Sequence, residues 1–219
     1  FTIDPSKFSE HEGARVVRVP MFARGKGNVR LVLNYLSYAL SASLIGFCKL
    51  RKQQFDVIFC YQLSPITIGV PAILFRLLRG IPLVFWVLDL WPDTLEAVGV
   101  VRSKRTLSAI GKLVSFIYNN CDLILGQSKS FLPHIIEMSK NSRVEYFPSW
   151  ADALFQQMRI KPISSMVSVE QFNIMFAGNV GEAQDFPAVL QAVELLKNNT
   201  VIHWTIVGDG RMSDWLENE

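Results

Sequence analysis

The chain has 219 residues, half of them hydrophobic and 19% charged, with a mean hydropathy of +0.25. That is ample for a packed core and too apolar for a disordered segment. Polar residues interrupt every long apolar run, so a multi-spanning membrane protein is not expected. Cys48, Cys60 and Cys121 lie far apart without C-x-x-C spacing, which supports neither a zinc site nor a disulfide framework and points to a reducing compartment. The net charge of +3 hides an asymmetry: residues 1–169 hold 20 Lys and Arg against 11 Asp and Glu, and residues 170–219 hold 2 against 8. A surplus of clustered cations suits an anionic membrane face or a phosphorylated substrate. It does not interleave with aromatics as single-strand nucleic-acid binding requires, and no nucleic-acid partner is expected.

In chain order, the β-rich runs 14–20, 56–61, 82–89, 122–127, 144–148, 172–177 and 203–208 alternate with helical patterns at 29–52, 65–79, 106–120, 130–139, 186–198 and from 212 onward. This alternation predicts an α/β fold of βαβ units around parallel sheets, and the continuous hydrophobicity of the strands predicts cover on both faces. Ser64 and Ser128 stand where helix caps are expected. Between 151 and 170 the pattern breaks up around Pro162 and the charge reverses. That places a linker there, with one domain over 1–150 and the start of another over 171–219. An opening at Phe1 without Met, and an end at Glu219 inside a helical pattern, read as a fragment of a longer protein.

Two glycine loops follow strands in the second part. In FAGNVGEAQDFPAVLQAVELL, Gly178 and Gly181 would let backbone N–H groups approach a phosphate at a helix N-terminus, with Asn179, Glu182 and Gln184 beside them, or would serve only a tight turn. In TIVGDGR, Gly208, Asp209, Gly210 and Arg211 occupy the same kind of strand end. Asp209 either contacts a ribose or base or caps the next helix. In the first part, PLVFWVLDLWPDTL puts Asp89 and Asp93 beyond a buried strand. There one carboxylate would orient or deprotonate a sugar hydroxyl and the tryptophans would stack on a ligand, or Asp93 is a cap and Trp86 and Trp91 are core. Tyr61, Gln62, Ser64 and Pro65 mark a further strand end, where they would either line the same cleft or form an ordinary turn before a Pro-started helix. His11, His134 and His203 show no metal-ligand spacing. LVLNYLSYALSASLIGFCKL, with basic residues at both ends, reads either as a helix resting on an anionic bilayer or as a helix of the outer layer.

FAGNVGEAQDFPAVLQAVELL followed by WTIVGDGR resembles the opening of the donor-binding domain in glycosyltransferase family four, whose members have the two-domain GT-B architecture of Rossmann-like domains. NVRLVLNYLSYALSAS, QLSPITIGVPA, PLVFWVLDLWPDTL and YFPSWAD resemble its bacterial O-antigen and capsule members similar to the L-fucosamine (N-acetylfucosamine) transferase. The resemblance implies retaining transfer of a sugar from a nucleotide-diphosphate donor, with UDP the expected nucleotide. The acceptor would be a polyprenyl-diphosphate-linked saccharide at the cytoplasmic face of the membrane, and no metal is implied. It places Gly178, Asn179 and Gly181 beside the diphosphate, Gly208 to Arg211 near the nucleoside and Asp89 on the acceptor side. Asn179 and Gln184 stand where many members have Arg and Lys, and Leu88 where many have His. The resemblance also implies that segments of such enzymes lie outside this chain, which alone is expected to be inactive. A GT-B-type epimerase and a non-catalytic remnant are the competing readings.

Overall fold

In the computed structural model, residues 10–218 are described except 12, 26, 141 and 152–170, so the linker expected at 151–170 lies almost wholly outside the described residues. The chain divides into two compact units, Phe1–Trp150 and Ala151–Glu219.

The run LVFWV has no polar residue and alternates its large side chains across a pleat, which suits the centre of a parallel sheet. It forms β4 (Leu83–Val87) between β3 (Ile58–Gln62) and β5 (Leu123–Gly126), with β6 (Arg143–Tyr146) beyond β5, all parallel. The register sets Cys60 beside Phe85 and Phe85 beside Ile124. Those side chains form one core with residues of α3 (Gly69–Arg79), α5 (Lys104–Tyr118) and α6 (Leu132–Met138), including Ala72, Ile73, Val114, Ile117, Tyr118 and Ile135. Phe85 and Tyr118 meet edge to face at 6.0 Å. Burial pushes the Cys60 thiol up to about 12 and raises the Tyr118 phenol, with Cys121, Asp89 and Asp93 adding to the Tyr118 shift.

The opposite face of the sheet corrects the expectation of cover on both sides. Phe59, Tyr61, Phe147 and Trp150 remain exposed there around Trp86, which stacks on Trp150 at 5.6 Å and 14°. The strand expected at 14–20 is likewise corrected. Only β2 (Ala14–Arg15) is extended in a ladder, as a small antiparallel hairpin with β1 (Glu10–His11) across Gly13. β-branched residues make a segment able to be a strand, but a strand also needs an edge to pair with.

α1 (Asn28–Ser41) runs through a π turn at Ala42–Gly46 into α2 (Phe47–Leu50). Val29–Leu50 is long and apolar enough to cross a membrane, although only 17% of its most apolar window is buried. Small Ala42 and Gly46 bring the turn close to α3, where Phe47 and Phe75 meet at 5.2 Å. The expected helix at 65–79 starts one residue later as a 3-10 turn, Ile66–Ile68. Ser64 makes no side-chain cap there, whereas the Ser128 hydroxyl accepts from the Ser130 amide at 3.3 Å.

At the amino ends of the strands, Arg76 donates twice to the Asp122 carboxylate at 2.8 Å, and the Leu83 amide donates to the same group at 2.8 Å. These donors, Arg76 first, hold the Asp122 carboxyl down at about 2. A carboxyl depressed in the folded state contributes stability above its unfolded pKa of about 3.9 and loses it as pH falls through the folded value. Because the group is partly exposed, Asp122→Asn should cost only about 1 kcal/mol near neutrality. In urea titrations the gap between the two proteins should close between about pH 4 and pH 2.

In the second unit, β7 (Phe172–Ala177) pairs in parallel with β8 (Ile202–Val207), with α7 (Phe186–Leu196) between them in sequence and α8 (Ser213–Leu216) after β8. The α/β class with parallel strands therefore holds in both units.

Candidate functional site

The four parallel strands of the first unit all end on one edge, where parallel α/β sheets place their ligand-binding loops. Beyond β4, Asp89 is half-buried and its two oxygens are already engaged. Oδ2 accepts the Trp91 indole N–H at 3.0 Å and Oδ1 accepts the Thr94 hydroxyl at 2.6 Å. The carboxylate thereby ties the loop 88–92, with its cis Trp91–Pro92 peptide, to the first turn of α4 (Asp93–Ala97), a helix the sequence reading did not separate. Trp91 is buried and packs 6.2 Å from the Tyr35 ring of α1, and Trp86 is buried under the aromatic face. Neither indole is open for stacking on a ligand.

Asp93 is different. It opens α4 without acting as its cap, is exposed, and its Oδ2 lies 3.0 Å from His134 Nε2 on α6. This pair joins residues 41 positions apart, and sequence spacing carried no signal for it. Gln127 was also missed as a site residue. Its side-chain amide donates to the Leu88 carbonyl at 2.7 Å and its oxygen receives the Ser149 hydroxyl at 3.4 Å, linking the ends of β4, β5 and β6. Its position as the last residue of the expected strand at 122–127 was the available clue.

The expected grouping of Tyr61, Gln62, Ser64 and Pro65 is not found. Successive strand residues face opposite sides of a sheet. Tyr61 therefore lies 5.1 Å from Trp86 on the aromatic face, while Gln62 is fully buried on the other side, its amide without a hydrogen-bond partner among the described residues.

In the second unit the two glycine loops are in direct backbone contact. The Gly178 amide donates to Val207 O, the Val180 amide donates to Asp209 O, each at 2.9 Å, and the Met212 amide donates to Val180 O at 3.1 Å. A Cβ on Gly208 would drive into the Gly178 carbonyl oxygen, and one on Gly210 would meet the Val180 backbone nitrogen at 2.8 Å. Both glycines are therefore required by the fold. Asn179 and Gln184 close around Gly181, whose added Cβ would stand 2.6 Å from Asn179 Nδ2 and 3.2 Å from Gln184 Oε1. Asp209 Oδ1 accepts the Gly210 amide at 2.6 Å and the Ser213 hydroxyl at 3.0 Å. It ties down the approach to α8, although Met212 holds the cap position. Gly178, Asn179, Glu182, Asp209 and Arg211 are exposed, and Gly181 and Gly210 less so. The structure thus brings Gly178, Asn179, Gly181, Glu182 and Gln184 to one strand end and Gly208 to Arg211 to its neighbour. With Glu182, Asp185 and Asp209 against a single Arg211, an anion on these loops would depend on backbone N–H groups and the amino end of α7.

A parallel α/β unit and a βαβ unit with paired glycine loops are both of Rossmann type, consistent with a GT-B-like fold. The family model of the glycosyl transferase 4-like domain matches residues 2–150, and the chain belongs to that family. The chain is also 26% identical over 160 residues to the probable glycosyltransferase WbjE of Pseudomonas aeruginosa. That match covers 66% of this chain and 39% of the relative, so it spans well under half of the relative's length.

Proposed function

We propose that this chain is part of a retaining glycosyltransferase in which the first unit serves the acceptor and the second begins the donor-binding domain. The donor is a nucleotide-diphosphate sugar, UDP-linked and carrying an N-acetylated deoxy-sugar. The acceptor is a polyprenyl-diphosphate-linked saccharide of O-antigen, capsule or exopolysaccharide synthesis, met at the cytoplasmic face of the membrane, and no metal is required. The observation that carries this reading is the family match over 2–150; the name of the Pseudomonas relative supports it. In this reading the diphosphate rests on the amides of Gly178 to Gly181 at the start of α7, with Asn179 and Gln184 donating to it and Glu182 at the rim. The nucleoside lies along Gly208 to Arg211, with Asp209 or Arg211 on the ribose. Asp89 positions the acceptor loop, and the more exposed Asp93, paired with His134, faces the acceptor hydroxyl.

A thermal-shift titration with UDP, GDP and ADP tests it. A nucleotide present at about 100 times its Kd adds roughly 2.7 kcal/mol to the state that binds it. UDP should raise the melting temperature of the second unit, and GDP and ADP should do so less or not at all. A cooperative melt that none of the three shifts would contradict the placement of the nucleotide on these loops.

A further inference from the structure

We propose that the outer face of α1 and the π turn docks flat on an anionic lipid bilayer, an inference that rests on the membrane-face reading above and assigns it a surface. Val29, Val32, Leu33, Leu36, Leu40 and Leu44 recur at helical spacing and are 44–75% exposed, forming one continuous apolar stripe. Exposed Met21 and Phe22 lie beside it across a groove of about 470 Å³ that Leu40, Ser41, Leu44 and Ile45 also line. The other side of the helix belongs to the protein. Asn34, Ala39, Ala42 and Gly46 are buried there, Asn34 donates to the Phe22 carbonyl, and the Phe22 amide donates to the Ser37 hydroxyl at 3.0 Å. A helix held on one side by polar contacts and bare on the other lies on a bilayer rather than through it.

Charge selects the occupant. Residues 13–55 contain eight Lys and Arg and not one Asp or Glu. Arg24 and Arg30 stand at one end of the stripe and Lys49, Arg51 and Lys52 at the other. Arg24 is fixed over the Tyr35 ring, 5.7 Å from its centroid, and Lys49 donates to Arg18 O at 3.3 Å. An apolar stripe with cations at both ends and no carboxylate matches acyl chains under anionic headgroups. A second copy of the chain, packed by two-fold symmetry on the same stripe, would set these cations against one another without a compensating acid.

The test is co-sedimentation of the chain with vesicles of phosphatidylcholine alone and mixed with phosphatidylglycerol. The chain should pellet with the mixed vesicles, bind phosphatidylcholine weakly, and be released by salt. Leu36→Ser with Leu40→Ser should weaken binding at least tenfold, because two leucines lose their burial. Lys49→Gln and Arg51→Gln should each weaken it about fivefold. Leu195→Ser, a still more exposed leucine in the second unit, should leave it unchanged. The melting temperature of each variant, read alongside, shows that the fold persists. Failure of the chain to bind phosphatidylglycerol vesicles, or full binding by the double leucine variant, would overturn the proposal. So would a lipid-free dimer that the double variant dissociates. The UDP shift is measured without lipid on the same proteins, so loss of vesicle binding with the shift intact removes this surface and leaves the donor reading standing.

Discussion

Gly208→Ala is expected to destabilise the second unit by about 3 kcal/mol or more and to abolish the proposed nucleotide binding with it. The new methyl group would have to occupy the place of the Gly178 carbonyl oxygen, with the carbonyl carbon only 2.9 Å away. Backbone cannot swing aside as a side chain can, so the loops after β7 and β8 would have to separate. Separation would forfeit the bonds from Val180 to Asp209 and from Met212 to Val180. Gly210→Ala should behave alike, since its methyl would lie 2.6 Å from the Val180 carbonyl carbon. Hydrogen exchange would show the result as lost protection of the amides in 172–177 and 202–207, with the strands of the first unit unaffected. Gly181→Ala supplies the contrast. Its methyl would meet only the ends of the Asn179 and Gln184 side chains, which can rotate away, so the fold should persist while UDP binding weakens. Equal loss of protection in the Gly181 and Gly208 variants would contradict this account.

Every strand expected after the first was found to within two residues of its bounds, whether its run is core or half-exposed. PLVFWVLD and DLILGQ gave their strands to within two residues because an apolar parallel strand has few polar residues to blur its limits, and the half-exposed FNIMFA gave its own through the glycine loop that ends it. ARVVRVP carries the same composition and gave only the two residues of β2, since composition cannot show whether a neighbouring edge exists. The site was legible in its positions and less so in its roles. That Asp89 and Asp93 lie at a strand end follows from the local pattern. That one is consumed by Trp91 and Thr94 while the other reaches His134 depends on how α4 and α6 pack. The glycines after β7 and β8 likewise announced a close approach. Each turned out to approach the neighbouring loop, a distinction that spacing along one segment does not contain.

The different situations of the two carboxylates lead to the second large effect. Asp89→Ala is expected to cost the first unit about 3 kcal/mol, because it strips a carboxylate acceptor from a half-buried indole N–H and from a hydroxyl. Asp89→Asn should cost less, about 1.5 kcal/mol, since its amide oxygen can still serve one donor while its NH2 faces the other. Asp93→Asn, by contrast, alters a contact of an exposed carboxylate with His134 and should change stability by no more than about 0.5 kcal/mol. Urea unfolding followed through tryptophan fluorescence ranks the three, Trp91 being the indole Asp89 holds. In the longer transferase that this chain is proposed to belong to, the ranking should invert for chemistry. Asp93→Asn should lower kcat in a fully folded protein, whereas Thr94→Val, which removes one of Asp89's donors, should act through KM as the acceptor loop loosens. A stable Asp89→Ala chain, or an Asp93→Asn enzyme of full activity, would reverse the assignment of anchor and chemical group.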